Sequence, residues 1–589
     1  MTSLPPTMLA IALLAAGCTS PDEPRARFDV DPGVTPGLAF VSGLSPTDLP
    51  RPVGTLRTED GLQADFVQDE IAVLAESLAA LQPLLDRYAG TVVGQVEVRS
   101  QGLVSYLVRI DPDRADPDEL ATDLATTHPE EDRSFAVDSD RSLGLLAAVA
   151  HEALTFGSGV DVNWVLKDGD IASGSTEEAP SSTSSGWDQD AFQWPYMSDG
   201  STQDFGVTAA WQLLEQAGRL DAEIPILVVD NGFIFNDDYP DESVFSNLDG
   251  WDAPNSGAST HGANVVIAAM GKLDNGYGAA GPAAPVGRLI ATQRGGGVWE
   301  TTQRMRDAID AFSPRIATMS HKWSTPVEWT SVGPGYVGAL DASTALYYDF
   351  AAEGIAMFGC AGNDRVRLSS AYPTSRWLAP CQVGVVSCVG GLEWDSNDRA
   401  TNDGGGSNFS DSADPLLVEF WGPYRVWSID DATAPNVNQT RRVSGTSYAT
   451  PFVAGVAALV MAADPSLSAS EVRSLLAETA VLVNGTDPRI DAEAAVSVAL
   501  GLPTIDIIEP NDGYSVPLGT EIWFEAVAEG PDGEDVQLVW DLAGDTEVTN
   551  EGTGGRHLLI YDDLPSGTHT ITASAQVSGI TVSDAIEVT

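Results

Sequence analysis

Four residues far apart in the chain carry side chains that together could break an acyl bond. Asp230 ends the apolar run IPILVVD, His261 opens HGANVVIAAM, Asn363 closes IAMFGCAGN, and Ser447 lies in VSGTSYATPFVAGVAALV. That chemistry needs a hydroxyl nucleophile, an imidazole to take its proton, a carboxylate to orient the imidazole and a donor for the developing oxyanion. Each residue alone has an ordinary reading. Asp230 before Asn231-Gly232 could be a turn, His261 could merely adjoin a helix start, Ala361-Gly362-Asn363 could be another turn, and Ser447 could cap the helix after it. Their joint occurrence is what points to chemistry. His128, His151, His557 and His569 lie outside this set and are assigned to surface or ordinary packing.

The elements that must position these groups follow from the same segments. In a parallel α/β sheet the crevice lies beyond the carboxyl ends of the strands, which is where Asp230 and Asn363 fall. From Trp187 to about Leu502, apolar runs IPILVVD, RLIATQ, RIATMS, IAMFGCAGN and QVGVVSCVG alternate with helical patterns at ANVVIAAMG, TTQRMRDAIDAF and LDASTALYYDFAAEG, and a long helix follows Ser447. Short unbroken apolar runs are expected of parallel strands buried on both faces. The fold class is therefore α/β, a doubly wound parallel sheet.

With the order Asp, His, Ser and the motifs D-x-G, H-G-x-x-V and G-T-S-x-A-x-P, the segment 187–502 resembles the subtilisin-like serine proteases. The resemblance implies Ser447 as nucleophile, His261 as general base and then acid, Asp230 as its orienter and Asn363 as oxyanion donor beside the backbone N–H of Ser447. It implies substrate contacts at Ser320, His321, Lys322, Ala361 and Gly362, with proteins or peptides as substrates and no cofactor required for the chemistry. Gln193-Trp194, Ala210-Trp211, Tyr372-Pro373 and Asn408-Phe409-Ser410 also match family positions. Thr318-Met319-Ser320-His321-Lys322 departs from the family's N-M-S-L-G, replacing an apolar residue and a glycine that normally line the primary specificity pocket. Lys322 is read either as a solvated side chain on a rerouted loop or, if it enters the pocket, as a selector for acidic side chains. Ala263 and Asn264 replace the family's Thr and second His, neither of which moves a proton.

The flanks add an expected history. Residues 8–17, MLAIALLAAG, are too short to span a bilayer and suit a signal-peptide core, assigned to 1–17. Small residues before Cys18 resemble the lipobox of bacterial lipoproteins, making Cys18 the expected lipid anchor, with an ordinary secretory signal as the alternative. Either way the localisation expected is extracytoplasmic. Residues 18–65 read as a tether, 66–168 as an α+β unit with one amphipathic helix over 66–88, and 169–186 as a flexible Ser/Gly linker. The α+β unit is similar in pattern to subtilase prodomains, so the linker would be the maturation site, and its cleavage would free a lipid-anchored protease from the membrane. From Pro503 to Thr589, short strands between Gly, Pro and Asp turns predict a β-sandwich. It resembles bacterial immunoglobulin-like surface modules, expected to act as a spacer or to bind a surface or matrix component.

Composition narrows the classes. The 589 residues hold 85 Asp+Glu against 29 Lys+Arg, a formal charge of −56, and 43% are hydrophobic. Such a length suggests about three domains, and that hydrophobic content can fill their cores. The acidity repels phosphates, so nucleic-acid binding is dropped, and contact with a membrane is expected only through Cys18. Structural Ca2+ is expected at Asp237-Asp238, Asp241-Glu242 or the loop Asp395 to Asp403. Cys360, Cys381 and Cys388 lack a C-x-x-C zinc pattern and allow one disulfide of unspecified pairing. The function expected is a secreted or lipid-anchored serine endopeptidase made as a zymogen, with a catalytically silent surface adhesion protein as the rival. An esterase would want a G-x-S-x-G elbow, which Gly445-Thr446-Ser447-Tyr448-Ala449 does not supply.

Overall fold

The computed structural model describes residues 26–168 and 204–589 apart from interior stretches, of which the longest are 247–259, 327–341, 369–375, 411–417 and 430–439. The signal segment 1–17, Cys18, the linker 169–186, Gln193-Trp194, Tyr372-Pro373, Asp395 and Asp403 lie outside the described residues.

Strand Ile224–Asp230 is apolar at nearly every position because it is central, flanked in parallel by Gly287–Gln293 and Ile316–Met319. Six further strands complete the order: Val244–Ser246 beside Gly287–Gln293, and Ala356–Cys360, Val386–Leu392, Phe420–Pro423, Asp487–Arg489 and Val481–Val483 beyond Ile316–Met319. All neighbours in this nine-stranded sheet run parallel except the last pair. Helix Thr446–Ala463 is buried throughout, so it is a core helix although it is long and apolar enough to cross a bilayer. Its small residues let it pack against helix His261–Met270 and the strands that end at the site. Burial of both helices fixes where His261 and Ser447 emerge. Cys381 and Cys388 form a disulfide, and Cys360 is free and buried.

Residues 18–65 differ from the tether expected. Ala26–Val30 pairs with Arg133–Val137, and Arg51–Thr58 pairs with Gln63–Ala75, so the sheet of the N-terminal unit begins well before residue 66. Val53, Leu56, Phe66 and Val67 are buried there, which supplies the driving force that the polar residues around them conceal. The helix expected over 66–88 is also revised: Gln63–Ala75 is a strand, and only Leu78–Tyr88 is helical. The strand is covered on both edges, by Val160–Trp164 on one side and by Arg51–Thr58 and then Leu103–Arg109 on the other. A run buried on both faces, such as IAVLA at 71–75, fits helical and strand periods alike.

The N-terminal unit and the large sheet domain share one apolar cluster, in which Trp299, Met305 and Ile309 of helix Val298–Phe312 join Val96 and Leu107. Ionic contacts cross the same boundary. Arg51 sits between Glu70 of its own unit and Glu300 of the neighbour, and Asn163 Nδ2 donates to both carboxylates at 3.1 and 3.0 Å. Farther along, Arg99 holds Asp310 through two hydrogen bonds of 2.8 and 2.6 Å, and Trp299 Nε1 donates to Ser105 Oγ at 3.1 Å.

In the C-terminal region an antiparallel sheet of Thr504–Glu509, Ile522–Glu529 and Arg556–Tyr561 faces one of Asp545–Asn550, Gln537–Leu542, His569–Val577 and Ile580–Val588. Phe524, Leu538, Trp540 and Ile571 fill the core between them. Thr581 N–H donates to Gln216 Oε1 at 3.2 Å, joining this region to the helix Val207–Gln216.

Candidate active site

Asp230 is the last residue of its strand and is buried, with one carboxylate oxygen accepting from Asn231 N–H at 2.7 Å. The same oxygen is 2.7 Å from His261 Nδ1. A carboxylate can only accept here, so the proton resides on Nδ1 and the lone pair on Nε2. His261 is the first residue of its helix, and the helix start is pressed against the turn after Asp230: Gly262 N–H donates to Asn231 O at 2.6 Å. A Cβ on Gly262 would come within 2.7 Å of that carbonyl, so only glycine permits the approach.

Ser447 is the second residue of helix Thr446–Ala463 and Gly445 is the residue before the helix, so Ser447 is not the cap that its sequence position allowed. Its hydroxyl donates to Ser320 O at 3.4 Å, and Ser320 Oγ returns a bond to Ser447 O at 2.6 Å. The His261 ring lies beside that of Tyr448, with centroids 5.6 Å apart, which brings the imidazole to the same helix terminus. The first amides of a helix have no partner within it, so the Ser447 N–H is offered outward.

Asn363 faces this terminus. Its Oδ1 accepts from Thr446 N at 2.9 Å and from Thr446 Oγ1 at 3.0 Å, which turns Nδ2 the other way, toward Gly445. That Nδ2 is buried and has no acceptor among the described residues. A buried donor without an acceptor is costly unless something else uses it. Thr446 also accepts from Gly362 N–H at 3.0 Å, and Asn408 braces the loop by donating to Ala361 O at 2.7 Å and accepting from Asp364 N–H at 3.1 Å. In the sequence Asn408 is legible only as a family position and Thr446 and Asp364 carry no signal, because none of the three lies near its partner in the chain.

Ser320, His321 and Lys322 form one wall beside Ser447, with Ala361 and Gly362 opposite. His321 is buried, its Nδ1 3.3 Å from Val229 O. Lys322 corrects the expectation of a solvated lysine on a loop: it lies in strand His321–Pro326, its side chain is 11% exposed, and Nζ donates to Asp364 Oδ2 at 2.5 Å.

A third backbone lies between these walls and Gly296-Gly297. Leu166 N–H donates to Gly296 O at 3.3 Å, Val165 bridges Gly297, and Lys167–Asp168 pairs antiparallel with His321–Lys322. The end of the N-terminal unit thus pairs with the strand that begins next to Ser320, the residue bonded to Ser447. The run Gly295-Gly296-Gly297 after strand Gly287–Gln293 is the available sequence signal for the backbone on the far side of Val165 and Leu166.

Among the described residues, the acidic side chains expected to bind calcium do not gather into a carboxylate cluster. Asp238 is buried and accepts from Asn275 Nδ2 and Ala279 N–H at 3.0 and 2.9 Å, while Asp241 pairs with Lys272. Among the described residues, the group of His, Cys, Asp or Glu whose ligand atoms all lie within 4.8 Å of one another is Glu119, Asp123 and His151, in the N-terminal unit.

The model of the subtilase family matches residues 124–501. Fervidolysin from Fervidobacterium pennivorans, a keratinolytic enzyme related to subtilisin, is similar at 16% identity over 86% of this chain and 70% of that one, with a TM-score of 0.46. A protease from Pseudoalteromonas arctica is similar at 20% identity over 55% of this chain and all of that one, with a TM-score of 0.41.

Proposed function

The chain belongs to the subtilase family, and from that premise we propose that it is a serine endopeptidase made as a zymogen. Ser447 Oγ attacks the peptide carbonyl as His261 Nε2 takes its proton, and Asp230 holds the imidazole in the required tautomer and stabilises its charge. Asn363 Nδ2 and the Ser447 N–H receive the oxyanion. His261 then delivers the proton to the leaving amine, and water repeats the sequence to release the acyl group. The observation that carries this reading is the buried pair His261–Asp230 at 2.7 Å, at the same helix terminus as the acceptorless Nδ2 of Asn363.

The N-terminal unit is read as a prodomain, because Val165 bridges Gly297 and Lys167–Asp168 pairs with the strand that begins next to Ser320. The cut that matures the enzyme is placed after Asp168, in 169–186. Export, by a lipid on Cys18 or a cleaved signal peptide, and a spacer or surface-binding role for an immunoglobulin-like C-terminal module complete the proposal. Structural calcium at Asp237-Asp238, Asp241-Glu242 or the loop Asp395 to Asp403 is kept as part of this reading. Chelation is expected to lower the midpoint of thermal unfolding, and an unchanged midpoint in chelator removes calcium from the reading.

The test is a serine-directed fluorophosphonate applied to the full chain and to Ser447→Ala, with intact mass as the readout. A single label on the wild type, together with loss of the N-terminal unit only in the wild type, is the expected result. A folded protein freed of its N-terminal unit that takes no label leaves the rival reading, a silent surface-binding protein.

A further inference from the structure

We propose that the ion pair Lys322–Asp364 closes the pocket that receives the side chain preceding the cleaved bond, so that the enzyme cuts after small residues. This rests on the peptidase reading above and specifies its substrates.

An acyl group on Ser447 Oγ, with its oxygen toward Asn363 Nδ2, must lie between two walls. One is Ser320 to Lys322, tied to Ser447 by the bonds of 3.4 and 2.6 Å, and the other is Ala361 to Asp364, tied to the same helix start through Thr446. The side chain of the acyl residue enters the space between them. Lys322 spans that space. It rises from the first wall, its Nζ reaches Asp364 Oδ2 on the second at 2.5 Å, and its Cδ and Nζ lie 3.3 and 3.2 Å from where a Cβ on Gly362 would stand, with Asn408 Nδ2 at 2.7 Å. Gly362 has φ +91, a conformation glycine adopts readily, and the lysine lies over the face left bare. The far wall does not swing away, because Asn408 Oδ1 holds Asp364 N–H at 3.1 Å and Val366 N–H at 3.0 Å.

Three kinds of side chain meet this bridge differently. A large apolar group must break the ion pair and leave a largely buried ammonium without its partner, which is strongly unfavourable. An acidic group must displace Asp364, which already neutralises the lysine and is held in place by the loop. Glycine, alanine or serine needs neither change. The chain's own strand Lys167–Asp168 is paired on this wall, and four of the six residues that follow it in sequence, Gly169, Ala172, Ser173 and Gly174, are small.

The test uses protein expressed from the full chain and matured by its own cut, with active sites counted by fluorophosphonate. Peptides identical except for Gly, Ala, Phe, Leu, Asp or Glu before the cleaved bond are compared by kcat/KM. Ala and Gly are expected to exceed Phe and Leu by at least about tenfold, a typical span for pocket discrimination. Lys322→Ala, and the double variant Lys322→Ala with Asp364→Ala should the single one not fold, are expected to narrow that ratio to about threefold or less by raising the Phe and Leu values. Labelled enzyme that takes Phe or Leu as readily as Ala, that prefers Asp or Glu, or whose folded variants keep the wild-type ratio, overturns this proposal alone. Neither label nor cleavage of any peptide overturns the peptidase reading and this proposal with it.

Discussion

Lys167 lies directly opposite Lys322 across an antiparallel pair, so the last strand of the N-terminal unit is seated on the strand that leads away from Ser320. Two lysines are neighbours there in a chain with a net charge of −56. The backbone pairing is reinforced at a distance by Arg51, which lies between Glu70 and Glu300.

Removing that arginine gives a first prediction. Arg51→Ala, made in the uncut Ser447→Ala chain, leaves two buried carboxylates facing each other and is expected to cost about 3–5 kcal/mol of stability by denaturant unfolding. The processed enzyme, once freed of its N-terminal unit, no longer contains Arg51 and is expected to show wild-type kcat/KM. A loss below about 1 kcal/mol in the uncut chain would falsify the view that this cluster holds the two units together.

The oxyanion donor and its support separate kinetically. Asn363→Ala removes the donor and is expected to lower kcat by about 10²–10³ with little change in KM. Thr446→Val removes only the hydroxyl that positions Asn363, and about a tenfold loss in kcat is expected, again with KM nearly constant. Equal losses in the two variants, or a loss expressed mainly in KM, contradict these assignments.

Asp230→Asn keeps the size of the side chain but can present an N–H to His261, favouring the tautomer with the proton on Nε2. A fall in kcat of about 10⁴ is expected, with the fluorophosphonate rate reduced in parallel. Retention of more than a tenth of the wild-type rate would show that the imidazole does not need this partner.

A pH dependence arises where the large domain meets the C-terminal sheets. Burial first, then the carboxylates of Asp491, Asp204 and Asp584, push Glu493 up to about 7. The folded protein therefore keeps a proton that the unfolded chain loses near 4.5, so stability falls as pH rises from about 4.5 to about 7 and is level above. Glu493→Gln is expected to raise stability at pH 8 by about 1–2 kcal/mol, allowing for solvent screening, and to leave it unchanged below pH 4. Thermal unfolding of both proteins at the two pH values checks this, and an equal shift at both would contradict it.

How much of this could be read from the chain depended on the range of the interactions involved. Asp230 and His261 stand at the ends of strongly apolar segments, and Ser447 follows a glycine at the head of a long helix, so local pattern was enough. Residues 66–75 of strand Gln63–Ala75 fit a helical pattern because unbroken burial from Glu70 to Ala75 removes the alternation that marks a strand. Arg51–Thr58, which pairs with it, and Ala26–Val30, which pairs with Arg133–Val137, look like tether for a related reason: each is held by residues farther along the chain. Lys322 and Asp364 are 42 positions apart, and no local rule announces that they meet. Arg51 and Glu300 are farther apart still, and their pairing depends on two units that the sequence presents as separate.

The apolar cluster shared by Val96, Leu107, Trp299 and Met305 draws a distinction between severing and parting. A cut within 169–186 breaks a covalent link but leaves that cluster and its ion pairs whole, so the two pieces stay together until they come apart by diffusion. A denaturing gel would then count two chains where a native gel counts one particle. If Cys18 carries a lipid, the cut enzyme stays at the membrane for as long as that association lasts. Its departure is timed by a dissociation rate rather than by proteolysis, and dilution, heat or chaotrope, none of which touches a peptide bond, would hasten it.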